Sequence, residues 1–67
     1  MRRIGMEIRR VRQERGLTQW QLSVMLGITP GRMLLIERGE GCSNDLMMAI
    51  AEALGVSVAE LYGKQWE

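Results

Sequence analysis

Residues Thr18–Glu37 read TQWQLSVMLGITPGRMLLIE and contain two short amphipathic runs separated by the tripeptide LGI at 26–28. The first run opens with TQWQ at 18–21, a T-x-x-Q capping box, and the second opens with Thr29 followed by proline. In both runs a threonine hydroxyl can accept a hydrogen bond from the first turn of a helix, and proline is favoured at the first helical position. The glycine-containing connection leaves room only for a sharp corner. The pattern therefore predicts two helices that meet at a tight turn.

The length and composition of the chain limit what kind of protein it is. Its 67 residues suffice for one domain, which we expect to span residues 1–67. A charged fraction of 25% and a hydrophobic fraction of 46% are typical of a folded soluble protein. No apolar run approaches the ~20 residues of a membrane-spanning helix, and the N-terminus lacks the pattern of a signal peptide, so no membrane partner is expected. With no histidine and the single Cys42, the sequence predicts no metal site, no cofactor and no internal disulfide, and it indicates a reducing cytoplasm.

Charge is distributed unevenly along the chain. Residues 1–38 carry eight arginines against three glutamates, a formal charge of +5, whereas residues 39–67 carry one lysine against five acidic residues, or −4. One half could therefore face a polyanion while the other half is turned away from it. Alternatively, the arginines near the N-terminus simply form a solvated helix face. These arginines are Arg2, Arg3, Arg9 and Arg10.

Hydrophobic periodicity, capping residues and glycines predict five helices and no strand, hence a compact all-α five-helix bundle. The predicted helices span residues 4–15, 19–26, 30–38, 44–54 and 58–62, with a tail at 63–67. The inward apolar positions predicted in the corner are Leu22, Met25, Leu26, Met33 and Ile36. Methionine is a flexible filler of cores. The methionines expected in this core are Met6, Met25, Met33, Met47 and Met48.

Several short motifs resemble one known family. They are IRRVR at 8–12, GLTQ at 16–19, LGI at 26–28, IERG at 36–39, ALGVS at 53–57 and ELY at 60–62. Together, over residues 4–62, they resemble the Cro/cI-type (XRE) helix-turn-helix domain of bacterial and phage repressors. The resemblance implies a lambda-repressor-like fold with the helix-turn-helix at helices 2 and 3. It also implies a largely internal ion pair between Arg12 and Glu37, and a cytoplasmic protein of bacterial or phage origin.

The resemblance further implies that helix 3 enters the major groove of double-stranded DNA, with the N-termini of helices 2 and 3 on the phosphates. Thr18 and Gln19 are then expected to anchor helix 2 to the DNA backbone. Thr29 is shared between helix capping and a phosphate contact. Alternatively, Gln19 is simply a solvent-exposed residue in the first turn of a helix.

The base-reading positions depart from the family pattern, in which polar side chains are usual. Here those positions hold Pro30, Gly31 and Leu35, none of which has a side chain that can form a hydrogen bond with a base edge. Arg32 is the obvious candidate for a bidentate contact to guanine, and Arg38 is better placed for a phosphate. Leu35 is suited to thymine methyl groups. Specificity is therefore expected to depend on few base contacts and on DNA deformability.

The leading hypothesis is a sequence-specific transcription regulator, a repressor that binds a palindromic operator as a homodimer. Dimers of this type contact half-sites about 10 bp apart, which is one turn of the DNA. The predicted dimer interface is formed by helix 5 and the tail, with Leu61, Tyr62 and Trp66.

The alternative is a protein-interaction module on the same fold, such as an antitoxin or adaptor. Outward-facing Leu34 and Leu35 would then form an apolar surface for a protein partner. An enzyme is not expected, because the sequence has no histidine, no glycine-rich phosphate loop and no pairing of a nucleophile with a base.

Overall fold

Five α-helices run through residues 2–63, the part of the chain that the computed structural model describes. They span Arg2–Glu14 (α1), Gln19–Leu26 (α2), Pro30–Glu37 (α3), Asn44–Leu54 (α4) and Val58–Gly63 (α5). No strand occurs within these residues. The predicted all-α five-helix architecture is confirmed, with small differences at helix ends, such as the start of α1 at Arg2 instead of Ile4. Within residues 2–63 no helix is both long enough and apolar enough to cross a membrane.

One apolar core connects all five helices. α2 packs against α3 and α4, while α1 packs against α3, α4 and α5. Each large apolar side chain that is removed from water in this way stabilises the fold by about 1.5–3 kcal/mol. The buried apolar residues are Ile4, Ile8, Val11, Leu22, Met33, Ile36, Met47, Ile50, Ala51, Leu54 and Leu61.

A glycine allows α1 to lie directly against the end of α3. A Cβ atom at buried Gly5 would lie 2.6 Å from the carbonyl oxygen of Ile36 and 2.7 Å from that of Glu37. Backbone atoms cannot yield as the end of a flexible side chain can, so this close approach requires glycine. The contact sets the position of the C-terminal end of α3.

The prediction that five methionines fill the core is wrong for three of them. Met33 and Met47 are buried, but the side chains of Met6, Met25 and Met48 are 55–62% exposed. These three methionines lie on solvent-facing sides of α1, α2 and α4.

The phase of α2 explains why Met25 was wrongly predicted to face inward. Leu22 and Ser23 are both fully buried, so the inward line of the helix lies between them. At 3.6 residues per turn, Met25 points about 110° away from that line. The small Ser23, whose hydroxyl donates to the carbonyl oxygen of Trp20, takes the inward position instead.

Candidate nucleic-acid interface

The N-terminus of α2 is closed by a reciprocal capping box. Thr18 Oγ1 accepts from the backbone N–H of Gln21 at 3.0 Å, and Gln21 Oε1 accepts from the backbone N–H of Thr18 at 2.9 Å. Both bonds were predicted from the TQWQ sequence and both are present. The first helical residue after the cap is Gln19, so this box fixes where Gln19 leaves the backbone.

The corner between α2 and α3 depends on a left-handed glycine and a second cap. Gly27 ends α2 with φ of 72°, a conformation that L side chains rarely adopt. The backbone N–H of Ile28 then donates to the carbonyl oxygen of Ser23 at 3.0 Å. Thr29 Oγ1 accepts from the backbone N–H of Arg32 at 3.1 Å, and Pro30 occupies the first helical position. Few backbone angles are therefore left free between the two helices.

Arg12 and Glu37 form a buried ion pair between α1 and α3. Arg12 Nε donates to Glu37 Oε2 at 2.6 Å and Arg12 Nη2 donates to Glu37 Oε1 at 3.1 Å. Their side chains are only 8% and 2% exposed. Arg12 Nη1 also donates to the carbonyl oxygen of Leu17 at 2.7 Å, which ties the loop before α2 to the same pair.

Gln19, the expected phosphate anchor, is half-buried and bound to this ion pair. Its Nε2 donates to Glu37 Oε1 at 3.0 Å. Its side chain is therefore not freely solvated.

Arg32, the expected base reader, is held by the loop that follows α3. Its Nη2 donates to the carbonyl oxygen of Gly41 at 3.3 Å, and its Nη1 lies 3.7 Å from Glu40 Oε1. The two charged side chains are 38% and 57% exposed, a setting in which an ion pair contributes at most about 1 kcal/mol. Burial raises the pKa of the neighbouring Cys42 thiol, and the positive charge of Arg32 opposes that rise.

The outer side of α3 presents mostly apolar groups. Gly31 and Arg38 are exposed, and Leu34 and Leu35 are 41% and 40% exposed, in agreement with the outward positions expected from the helical period. Arg38 forms the C-cap of the helix. Arg32, in the first turn of the helix, and Arg38, at its C-cap, thus lie on either side of the exposed leucines.

The predicted dimer interface requires a correction. Leu61 was expected to contribute to it, but its side chain is 1% exposed and packs within the core of the single chain. It has no apolar surface left to offer a second copy, so this part of the prediction is wrong. Tyr62 is half-buried, and Trp66 lies outside the described residues.

Several arginines of the basic N-terminal half have partners within the domain. Arg10 donates to Glu7 at 2.6 Å and also pairs with Glu14 one turn later. The hydrogen bond to Glu7 raises the pKa of Arg10 above its ordinary value. Arg15 Nε donates to the carbonyl oxygen of Leu54 at 3.0 Å and so binds the C-terminal end of α4. For these residues a structural role accounts for the charge.

An exposed apolar surface on α2 and α4 was missed by the sequence analysis. Its large side chains, each more than half exposed, are Trp20, Val24, Met25 and Met48. Beside it lies a groove of about 450 Å³, lined by Met25, Leu26, Ala49, Glu52 and Ala53. A signal was present in the sequence, because four of the five residues at 22–26 are apolar and, at 100° per residue, Val24 falls on the opposite side of the helix from Leu22 and Leu26.

The match to a family model agrees with this geometry. The helix-turn-helix family model matches residues 8–61, which is more than half of the chain. The chain therefore belongs to the helix-turn-helix family, of the Cro/cI (XRE) type, a class of DNA-binding transcription regulators.

Solved structures extend the likeness to nearly the whole chain. The chain is similar to two structures of ClgR, described as the clp gene regulator of Corynebacterium glutamicum. It is 30% identical to the first, with a TM-score of 0.90 over 94% of this chain and 68% of that chain. For the second, the identity is also 30% and the TM-score is 0.87, over 94% of this chain and 83% of that chain. A search of curated proteins finds no match.

Proposed function

We propose that this domain binds double-stranded DNA sequence-specifically and regulates transcription, with α3 in the major groove. The observation that carries the proposal is the rigid corner, in which capped α2 and α3 meet at left-handed Gly27 and α3 keeps an exposed outer face. A recognition helix in the major groove must project from its domain and hold a fixed angle to the helix before it. Membership of the helix-turn-helix family supports the same function.

We assign the DNA contacts to two groups of residues. Thr18, Gln19, Thr29 and Arg38 contact phosphates, because they lie at helix ends and carry hydrogen-bond donors. Pro30, Gly31, Arg32 and Leu35 face the bases. Among these four, Arg32 can make the bidentate contact to guanine that gives direct readout, and it reaches the DNA by exchanging its weak contacts with the loop.

The proposed assembly is a homodimer on a palindromic operator. One α3 with a single guanine-reading arginine specifies few bases, and a second copy doubles that number. We place the interface at the end of α5 and the tail, with Tyr62 and Trp66, since Leu61 is occupied by the core. A repressor acts by occupying its operator, so DNA binding by such a dimer suffices for repression.

Selection from a pool of random duplexes tests this function. The immobilised protein is mixed with the pool, and bound fragments are amplified and sequenced over several rounds. The expected result is enrichment of a two-fold symmetric sequence with half-sites about 10 bp apart. Failure to enrich any sequence would contradict sequence-specific binding, and enrichment of a single asymmetric half-site would contradict the dimer.

A second candidate function is protein binding through Leu34 and Leu35. It is favoured by the outward position of both leucines at about 40% exposure. If α3 serves a protein partner, Leu34→Asp abolishes capture of that partner and Arg32→Ala leaves it intact. If α3 serves DNA, Arg32→Ala changes the enriched sequence in the selection experiment.

A further inference from the structure

The carboxylate of Glu37 has a partner besides Arg12. Its Oε1 accepts from Arg12 Nη2 at 3.1 Å and from Gln19 Nε2 at 3.0 Å, while its Oε2 accepts from Arg12 Nε at 2.6 Å. Gln19 and Glu37 are 18 residues apart in sequence and belong to α2 and α3. The bond therefore joins the start of one helix of the motif to the end of the other.

The chemistry of this contact fixes the orientation of the Gln19 amide. An ionised carboxylate has only acceptor atoms, so the nitrogen of the amide must face Glu37 and the oxygen must face away. Both oxygens of this carboxylate also accept from Arg12. One N–H of Gln19 is thus directed inward, and the second N–H of the same nitrogen is directed away from the buried pair.

The second N–H is available for a ligand. Within residues 2–63, Glu37 is the one side chain to which the Gln19 amide is bonded. Arg12 reinforces the arrangement by donating to the carbonyl oxygen of Leu17 at 2.7 Å, two residues before Gln19. The start of α2 is thereby attached to the buried pair through both its backbone and its first side chain.

We propose that Glu37 is a positioning residue for DNA binding, which holds the Gln19 amide so that its outer N–H meets a phosphate oxygen. This inference rests on the proposed function and deepens it. A side chain held in its bound orientation loses less conformational freedom on binding, so the contact becomes stronger. Because the amide is neutral, it releases no counterion, and its loss weakens binding to all sequences without changing the salt dependence.

A double-mutant cycle on DNA affinity tests the coupling. The variants are Gln19→Ala, Glu37→Gln and the combination of both, with Gln13→Ala, an exposed glutamine of α1, as the matched control. The probe is a fluorescent random-sequence duplex of about 20 bp at low salt, because a phosphate contact does not depend on the base sequence. Circular dichroism sets a temperature at which every variant is folded.

We expect Gln19→Ala and Glu37→Gln each to lower the affinity about tenfold, and the double variant to lower it by about the same factor. Gln13→Ala leaves the affinity unchanged. A loss of about a hundredfold in the double variant would mean that the two residues act independently and would overturn the inference. No loss with Gln19→Ala would overturn it as well. If the wild-type protein fails to bind the duplex, the proposed function itself falls, and this inference with it.

Nuclear magnetic resonance of the wild-type protein supplies a test that does not require Glu37→Gln to fold. The two side-chain N–H signals of Gln19 are followed during a titration with the same duplex. The inner proton is expected to be protected from solvent exchange in the free protein, and the outer proton to shift on DNA binding. Rapid exchange of both protons in the free protein, or the absence of any shift with DNA, would overturn the positioning role.

Discussion

Two arginine–glutamate pairs involve α3, and they are held in different ways. At the C-terminal end, the pair of Glu37 and Arg12 is buried, short and supported by further hydrogen bonds. The pair of Arg32 and Glu40 joins the first turn of α3 to the loop that follows the helix, and it is long and exposed. A buried pair is strongly destabilising when one partner is removed, whereas an exposed pair contributes little. The C-terminal end of α3 is therefore fixed to the domain, whereas the side chain of Arg32 can exchange partners.

The two pairs correspond to two different roles, one in orienting α3 and one in reading DNA. The fixed end sets the angle of α3 against α1, where Gly5 allows direct backbone contact, and against α2 through Gln19. The loosely held side chain, that of Arg32, is the one suited to a guanine. A helix that reads DNA needs both, because its frame must be rigid while its reading side chain must leave the protein surface.

Removal of Glu37 should produce the largest effect. Glu37→Ala leaves the guanidinium of Arg12 buried without a countercharge, so we expect a loss of roughly 3–5 kcal/mol in the free energy of unfolding. A domain of this size rarely has more than about 3–5 kcal/mol in total, so much of the variant should be unfolded at 25 °C. Urea denaturation followed by circular dichroism measures the loss. The control is Glu40→Ala, and equal stabilities of the two variants would eliminate the contrast between the two pairs.

Gly5→Ala should be the next most damaging change. The added methyl group would meet the carbonyl oxygens of Ile36 and Glu37, so α1 and α3 must move apart, at a cost of about 1–3 kcal/mol. Gly31→Ala is the matched control, because its Cβ meets nothing within 4 Å and alanine favours a helix. Thermal unfolding should show a lower melting temperature for the first variant and an equal or higher one for the second. The close approach of α1 and α3 is refuted if both variants shift the melting temperature in the same direction.

Arg32→Ala should separate stability from recognition. Its contacts with the loop are exposed, so the free energy of unfolding should change by less than about 1 kcal/mol. On DNA, the variant should lose about 1–3 kcal/mol of discrimination at one base pair of each half-site. Competition binding with single-base variants of the selected duplex measures this loss. A uniform loss at all positions would instead make Arg32 a phosphate contact.

Glu40→Gln should have the smallest effect. The substitution keeps the shape of the side chain and removes its charge, and we expect the stability to change by less than about 0.5 kcal/mol. DNA affinity should rise slightly, because Arg32 is released from a competing carboxylate and one negative charge is removed near the phosphates. An anisotropy titration of the variant beside the wild type would detect either direction, and a lower affinity would contradict the weak hold on Arg32.

The local features of the fold were predictable from the sequence. The capping box at Thr18, the cap at Thr29 and the inward line through Met33 and Ile36 follow from spacings within one helix. Contacts between helices do not follow from such spacings, and the pair of Arg12 and Glu37 was expected only from the resemblance to the family. The closeness of Gly5 to α3 depends on an interhelical distance that no spacing encodes.

The candidate site likewise has a part that was predictable from the sequence and a part that was not. The sequence identified Gln19, Arg32 and the outward face of α3, but not the partners of these side chains in the free protein. The bond from Gln19 to Glu37 requires the corner to be folded first. The error at Leu61 arose because an apolar residue near a chain end is suited equally to an interface and to a core, and only packing decides between them.

The salt dependence of DNA binding tests the central claim most directly. The affinity of the wild-type domain for the selected duplex is measured by anisotropy over a series of salt concentrations, with a shuffled duplex of the same composition as the control. We predict a steep linear decrease of log K with log salt, about 0.9 for each phosphate neutralised, and a preference for the selected duplex at every concentration. A salt-independent affinity, or equal affinity for the two duplexes, would contradict a DNA-reading α3.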